Sequence, residues 1–251
     1  MGELSDHKAV ITGGSGDLGM AIAQLFASHG CTIILLDYNQ EALDKCVPLI
    51  VNPEGQKHEG HFYDVTDVVR PAIDFTSVDI LVNGAGIALG GFLPDMEVEL
   101  IDKIVATNLT GAIKLTKYAL EAWVERNETN PRPKSRGNGV IINIASVQGL
   151  RPIIPVLSVY STTKAALNMF TKAVAVEGGA YSIRSNSVCP GYVPTNMTDG
   201  MDVPERPSLV EEEDDQGWVS RDSIAKAVFY LATNLQVSGA ILAVDKAMAS
   251  L

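Results

Sequence analysis

The sequence contains little cysteine, and it has fewer positively than negatively charged residues. Its three cysteines, Cys31, Cys46 and Cys189, are odd in number and widely spaced, so they fit neither a disulfide framework nor a metal cluster. The 19 Lys and Arg residues against 30 Asp and Glu residues leave a net charge of −11. Because an acidic surface repels phosphate groups, we expect no nucleic-acid partner and no association with acidic membranes.

The sequence also lacks long apolar runs. No stretch of about 18 or more apolar residues occurs, so we expect no membrane-spanning helix. The N-terminal residues contain no apolar core of the kind found in signal peptides, which favours a cytoplasmic protein. His58 and His61 lie near each other, but they do not complete a metal-ligand pattern, and we predict no metal site.

Short apolar runs alternate with amphipathic stretches along the chain. The runs predict seven strands, at Lys8–Thr12, Thr32–Asp37, His61–Val65, Ile80–Asn83, Val140–Ser146, Arg184–Cys189 and Ile241–Asp245. Helical spacing predicts helices at Met20–His29, Met96–Arg126 with a break, Ser158–Glu177 and Ser220–Leu235. Strands that are apolar throughout indicate burial on both faces. The pattern predicts an α/β fold, with a doubly wound parallel sheet and helices on both faces in a single domain over residues 1–251.

Two polar segments interrupt this alternation. Residues 127–138 contain proline and many polar side chains, which predicts a surface loop. Residues 194–216 contain proline, glycine and the acidic run Glu211–Asp215. That segment is too long for a simple connection, so we predict a loop over the substrate or a mobile loop.

The first predicted strand ends in the glycine-rich segment Thr12–Gly19, and a predicted helix follows. Glycines at such a turn let the backbone approach a pyrophosphate at the helix N-terminus, although a tight turn without a ligand has the same pattern. Asp37 ends the second strand, and its carboxylate can accept hydrogen bonds from ribose hydroxyls. Because that carboxylate would repel a 2′-phosphate, we predict NAD as the cofactor, with NADP disfavoured.

Several segments occur in an order that resembles a known family. They are Thr12–Gly19 (TGxxxGxG), Asp64-Val65, Asn83-Gly84-Ala85-Gly86 (NNAG), the set Asn108, Ser146, Tyr160 and Lys164, and Pro190–Thr195 (PGxVxT). Together they resemble the short-chain dehydrogenase/reductase family, and the chain of 251 residues is similar in length to its single-domain branch. The resemblance implies a Rossmann-type fold, a small-molecule alcohol or ketone as substrate, and a homodimer or homotetramer.

The resemblance also assigns site residues. It implies catalytic roles for Asn108, Ser146, Tyr160 and Lys164. It implies cofactor contacts from Gly13, Ser15, Gly16, Asp17, Leu18, Gly19, Asp37, Tyr38, Asp64, Val65, Asn83, Gly84, Ala85, Gly86, Tyr160, Lys164, Pro190, Gly191, Val193 and Thr195. Substrate contacts are expected from Ser146, Gln148, Tyr160 and Tyr192.

The residue types of this set suit hydride transfer coupled to proton transfer at an alcohol oxygen. Tyr160 is the expected acid and base. Lys164 follows it by one helical turn, so the ammonium is expected to lower the tyrosine pKa. The Ser146 hydroxyl would polarise the substrate oxygen, and the resemblance implies that Asn108 anchors a water leading from Lys164.

The sequence departs from the family at several positions. Asp17 replaces the second glycine of the turn, Gly84 replaces an asparagine, and Lys246 and Ala247 replace the glycines of the usual VDGG ending. The short interval between Asp64 and Asp79 predicts a trimmed third helix.

Two alternatives and a substrate hypothesis remain at this point. One alternative is a sugar-nucleotide epimerase or dehydratase of the extended branch, which a TGxxGxxG spacing of the turn favours. The other is a catalytically impaired nucleotide-binding regulator or scaffold with the same fold, which Asp17 and the altered C-terminal ending favour. For the enzyme, the acidic run Glu211–Asp215 would disfavour anions such as acyl-CoA, so we hypothesise a neutral substrate such as a polyol or a hydroxyketone.

Overall fold

A computed structural model of the protein describes residues 2–133, 135–198 and 218–250. Its seven parallel strands form one sheet in the order β3-β2-β1-β4-β5-β6-β7. The strands are β1 Lys8–Thr12, β2 Thr32–Asp37, β3 Glu59–Phe62, β4 Ile80–Asn83, β5 Gly139–Ile144, β6 Ile183–Pro190 and β7 Ile241–Val244. The strand order reverses between β1 and β4, and ligands of open α/β sheets bind at such a switch point.

Helices cover both faces of the sheet, as the sequence predicts. They are α1 Asp17–Ser28, α2 Gln40–Cys46, α3 Val98–Val105, α4 Gly111–Thr129, α5 Ser158–Gly178 and α6 Arg221–Thr233. Along β1, Ile11 packs into a core cluster that contains Phe26 of α1 and Val228 of α6. Its neighbour Val10 packs into a second cluster, with Trp123 of α4. Since successive strand residues point to opposite faces, the sheet separates two apolar cores.

The sequence locates most elements correctly. The bounds of β1, β2 and β4 are those predicted, and the predicted third helix is reduced to a single 3₁₀ turn at Phe75–Ser77. The expected break in the long helix is a π-helical turn at Ala106–Thr110. The predicted third strand starts two residues late and ends three residues late, because this edge strand is mostly exposed and lacks an apolar run.

Residues 127–138 are more firmly held than the surface loop that the sequence predicts. Helix α4 continues to Thr129, and the guanidinium groups of Arg132 and Arg136 each lie 2.9 Å from a carboxylate oxygen of Asp79. Arg126 lies buried beside the same carboxylate, and burial lowers its pKa to about 10. The segment is therefore fastened across the amino ends of β4 and β5.

The predicted loop at 194–216 lies outside the described residues beyond Thr198, and so does Glu211–Asp215. Within the described ranges, no helix has both the length and the apolar character needed to span a bilayer.

Candidate active site

The glycine-rich turn forms a tight cradle between β1 and α1. Gly13 adopts a φ of +64°, a conformation that L side chains rarely adopt. A Cβ on Gly19 would collide with the Gly13 carbonyl oxygen, so α1 can start this close to the turn only with glycine there. The N-cap Gly16 offers no side-chain acceptor to the amides of the first helical turn. Uncapped amides at a helix N-terminus bind anions, which fits a dinucleotide phosphate.

Asp37 is tied to this turn. Its Oδ2 accepts hydrogen bonds from the backbone N–H and the hydroxyl of Ser15, at 3.1 and 2.7 Å, and its Oδ1 accepts one from the Asn39 N–H at 3.1 Å. A carboxylate has about four acceptor positions, so Oδ1 retains capacity for a further donor. None of the ion pairs among the described residues involves Asp37. Tyr38 follows it with a largely exposed ring.

The Asp64-Val65 pair lies in a loop that helix α4 fixes. A Cβ on Gly111 would lie 2.8 Å from the Val65 side chain, so the loop contacts the helix backbone there. Asp64 Oδ1 accepts hydrogen bonds from the N–H and the hydroxyl of Thr66, and Lys114 donates to the Thr66 carbonyl at 2.8 Å. These contacts hold the loop against the first turn of α4.

In the segment Asn83–Gly86, the first residue points into the protein core, and the following residues lie beyond the end of β4. Asn83 is buried, and its Nδ2 donates to Oδ1 of Asn143, its register partner on β5, at 2.8 Å. The structure therefore places this predicted cofactor residue in the core, where it joins two strands. The next residues lie just beyond the carboxyl end of β4. There the Gly84 and Ala85 N–H groups donate to Thr12 Oγ1 at 3.0 and 3.1 Å.

Asn108 lies inside the π-helical turn and is almost fully buried. Its Oδ1 accepts from the Ile87 N–H at 2.8 Å, and its Nδ2 donates to the Ile87 carbonyl at 2.9 Å and to Thr163 Oγ1 at 3.3 Å. Asn108 thus fastens the loop after β4 to helix α5. A Cβ on Gly86 would lie 3.3 Å from both Asn108 Oδ1 and Lys164 Nζ, so this loop passes directly over the pair.

Ser146, Tyr160 and Lys164 come together beyond the carboxyl end of β5. A Cβ on Gly149 would lie 2.6 Å from the Lys164 backbone, so only glycine lets the Val147–Gly149 turn pack this closely on α5. The Ser146 side chain lies close enough to the Tyr160 hydroxyl to affect its pKa. Lys164 Nζ lies 5.7 Å from the Tyr160 ring centroid and donates to the Ile144 carbonyl at 2.9 Å.

Burial dominates the electrostatics of this group. It raises the pKa of Tyr160, and the nearby Ser146 hydroxyl only partly offsets this. The expectation that Lys164 lowers the tyrosine pKa stays a prediction, because burial is the largest influence on Tyr160 in the chain by itself. Burial also lowers the pKa of Lys164 to about 8, so the amine can change its protonation state near neutral pH.

Gln148 lies in the Val147–Gly149 turn that follows Ser146. Its backbone N–H donates to Ser146 Oγ at 3.1 Å, and its Oε1 accepts from the Ile153 N–H at 2.9 Å and from the Ile154 N–H at 3.4 Å. These two donors fix which end of the amide is oxygen. Its Nε2 is buried and has no hydrogen-bond partner in the structure.

The segment after β6 closes the site on its other side. Gly191 approaches the backbone of Asp245 so closely that a Cβ would lie 2.9 Å from its Cα. Tyr192 is buried, with its ring centroid 6.1 Å from that of Trp218, and Val193 joins the core under α1 and α6. The Thr195 N–H donates to Thr198 Oγ1 at 3.0 Å.

The carboxylate of Asp17 points away from the glycine cradle, toward the segment that follows Pro190. It pairs with Arg221 at 2.8 Å and accepts the Asn196 N–H at 3.0 Å. Sequence reasoning missed Arg221, although the unusual Asp17 was a reason to look for a cation. The alternative of an impaired regulator rested on Asp17 and the altered ending, and this pairing removes the Asp17 argument for it.

The altered C-terminal ending keeps the backbone that glycine favours. Lys246 and Ala247 have φ values of 49° and 64°, in the left-handed region that costs L residues about 1 kcal/mol. Asp245 holds the turn by accepting the Ala247 N–H at 3.1 Å and the Ala249 N–H at 2.7 Å.

Comparisons with known proteins agree with this geometry. The family model described as short chain dehydrogenase matches residues 7–205. A 3-oxoacyl-(acyl-carrier-protein) reductase of Chlamydia muridarum is 32% identical over 98% of each chain. A 2-(R)-hydroxypropyl-CoM dehydrogenase of Xanthobacter autotrophicus is 34% identical over 95% of this chain and 97% of its own. A crystal structure from Agrobacterium tumefaciens with bound NADP has a TM-score of 0.81 and 26% identity, and the match covers 99% of this chain and 98% of that one. The chain belongs to the short-chain dehydrogenase/reductase family of oxidoreductases, which use a nicotinamide cofactor.

Proposed function

We propose that this protein is an NAD(H)-dependent oxidoreductase that interconverts a secondary alcohol and a ketone, acting as a single domain. The observation that carries the proposal is the joint burial of Ser146, Tyr160 and Lys164, with Lys164 Nζ 5.7 Å from the Tyr160 ring centroid. Buried titratable groups with shifted pKa values are typical of catalytic sites.

The residues around the switch point fit a dinucleotide. The uncapped N-terminus of α1 would hold its phosphates, Asp37 its adenosine ribose, and the loops at Ala85-Gly86 and Thr195 its nicotinamide half. When bound, the cofactor supplies the group that accepts or donates the hydride.

Tyr160 moves the proton that accompanies the hydride. In the oxidation direction, the tyrosinate oxygen accepts the proton of the substrate hydroxyl, and in reduction the phenol returns it to the carbonyl oxygen. The Ser146 hydroxyl, which lies beside Tyr160, donates to the same substrate oxygen and polarises it. A Lys164 pKa of about 8 suits exchange of that proton near neutral pH.

The preference for NAD rests on Asp37. Its carboxylate is buried, hydrogen-bonded to Ser15 and paired with no described cation. A second anion such as a 2′-phosphate would lie against an uncompensated charge. Ribose hydroxyls can instead donate to the remaining position on Oδ1. These features favour NAD(H) even though a structural relative holds NADP.

The free amide of Gln148 supports a substrate with a second oxygen. A buried donor without a partner costs about 1–3 kcal/mol, and an acceptor on the substrate would recover it. A hydroxyketone or polyol carries such an acceptor near the reacting carbon. Turnover of a panel of hydroxyketones, simple ketones and acyl-CoA thioesters with NADH tests this, and a clear preference for the thioesters would contradict a neutral substrate.

We also propose a homodimer or homotetramer. One face of α5 exposes small and apolar side chains at helical spacing, and Met169 and Val176 are 66% and 83% exposed. Apolar side chains in such a row are typical of an interface. The mass of the protein in solution by light scattering tests this proposal.

A further inference from the structure

Asp17 and Arg221 form a bridge between the glycine-rich turn and the segment after β6. Asp17 is the first residue of α1, and Arg221 is the first residue of α6. Arg221 Nη1 lies 2.8 Å from Asp17 Oδ1, and Arg221 Nε donates to the Pro194 carbonyl at 2.8 Å. The second carboxylate oxygen, Oδ2, accepts the Asn196 N–H at 3.0 Å. The ion pair is therefore hydrogen-bonded to the backbone on both sides of Thr195.

The position of Arg221 has no explanation within its own helix. A cation at a helix N-terminus is disfavoured by the helix dipole, whereas an anion such as Asp17 is favoured there. The side chain of Asp17 is only 19% exposed and that of Arg221 46% exposed, so the pair is partly shielded from solvent. Their attraction, together with the bond to Pro194, offsets the unfavourable position of the arginine.

The negative charge of Asp17 must also be neutralised if a cofactor diphosphate is to bind nearby. Asp17 is in the first turn of the helix whose amides would receive the cofactor diphosphate, and a lone carboxylate there would repel that group. Arg221 neutralises the carboxylate at ion-pair distance. The acid can then act as a hydrogen-bond acceptor for the segment around Thr195 without repelling the diphosphate.

We propose that Arg221 is a positioning residue for the cofactor. It makes the acidic residue of the glycine-rich turn compatible with a diphosphate, and through Asp17 and Pro194 it holds the segment Pro194–Thr198 against that turn. Arg221 acts through these residues and takes no part in the chemical step.

A double-mutant cycle tests this inference. The dissociation constants of NADH and of ADP-ribose are measured at about 50 mM and 500 mM salt for the wild type, Asp17→Gly, Arg221→Ala and the double variant. We expect Arg221→Ala to weaken binding of both ligands about tenfold at low salt, because the carboxylate is then uncompensated. The loss should shrink at high salt, where charges are screened over shorter distances.

The double variant gives the decisive result. Removing Asp17 in the Arg221→Ala background should return ADP-ribose affinity to within about threefold of wild type, since no charge remains to repel the diphosphate. Lys226→Ala is the matched control, because Lys226 is on the same helix in an exposed ion pair with Asp222. That variant should leave both dissociation constants unchanged.

Two results would overturn the proposal: unchanged affinity in Arg221→Ala, or losses that simply add in the double variant. The inference rests on the proposed function only for the choice of ligand. If the wild type prefers NADPH, the proposed cofactor is wrong, and the same cycle run with NADPH still tests the ion pair. If the wild type binds no dinucleotide, both proposals fall.

Discussion

The Lys164 ammonium nitrogen lies 5.7 Å from the ring centroid of Tyr160 and 2.9 Å from the carbonyl oxygen of Ile144. The helix places the two side chains on one face because they are four residues apart, and both are buried against β5 and the turn that follows it. A lysine and a tyrosine removed from water together favour their neutral forms. The raised pKa of Tyr160 and the lowered pKa of Lys164 follow from this shared burial.

The first prediction concerns Tyr160. Replacing it with Phe removes the group that transfers the proton, so kcat should fall by about 10²–10⁴. The NADH dissociation constant should stay within about twofold, because the ring remains. Tyr230→Phe is the control, since that tyrosine is half exposed on α6 and the change should leave kcat as it is. Equal activity of Tyr160→Phe and wild type would remove Tyr160 from the mechanism.

The second prediction concerns Lys164 and the stability of the fold. Its pKa falls from 10.5 in the unfolded chain to about 8 in the folded chain. Below pH 8 both states bind the proton, and the cost of burying the charge is fully present. Between pH 8 and 10.5 the unfolded chain binds more protons, so the free energy of unfolding rises with pH.

Lys164→Met removes this cost. The variant should exceed wild type in unfolding free energy by up to about 3 kcal/mol at pH 7, reduced by the lost bond to Ile144. The gap should narrow as the pH approaches 10. Urea unfolding of both proteins at pH 7 and 9.5 measures this difference in unfolding free energy. A difference that does not change with pH would contradict the conclusion that Lys164 is charged and buried at pH 7.

The third prediction concerns Gln148 and substrate choice. Gln148→Leu removes the free Nε2 donor, so kcat/KM for a hydroxyketone should fall about tenfold, the equivalent of one hydrogen bond. The kcat/KM for the matching ketone without the hydroxyl should change about threefold or less. Gln148→Glu keeps an acceptor for the Ile153 N–H but replaces the donor with an oxygen, so it should show the same selective loss. Equal losses on both substrates would mean that Gln148 only supports the local backbone.

The fourth prediction concerns the left-handed backbone at the C-terminal end. Ala247→Gly relieves a φ of 64° and should raise the free energy of unfolding by roughly 1 kcal/mol, or Tm by about 2–4 °C. Ala42→Gly in helix α2 should shift Tm in the opposite direction, since glycine disfavours helix. Thermal denaturation of the two variants beside wild type decides this, and a drop in Tm for Ala247→Gly would show that the strain is absent.

Most of the fold follows from the sequence because buried parallel strands are apolar on both faces. The segments at Thr32–Asp37 and Ile80–Asn83 carry that signal without interruption. Strand β3 does not, because it lies at the sheet edge with exposed side chains. Several site segments could also be predicted, since Thr12–Gly19, Asp64-Val65 and Pro190–Thr195 each lie at the end of a strand.

Other features depend on contacts that no local pattern contains. The inward direction of Asn83 is set by its register with Asn143 on the neighbouring strand. The partner of Asp17 lies at the start of the last helix, because α1 and α6 pack side by side on the same face of the sheet. Both contacts are fixed by tertiary packing, which a motif search does not reach.

The most direct test is a parallel titration of the purified protein with NADH and NADPH, followed by cofactor fluorescence. The uncompensated carboxylate of Asp37 predicts that NADH binds at least about tenfold more tightly than NADPH. Asp37→Ser should reduce this ratio of the two affinities by improving NADPH binding. Tighter binding of NADPH by the wild type, or binding of neither dinucleotide, would contradict the proposed NAD(H)-dependent function.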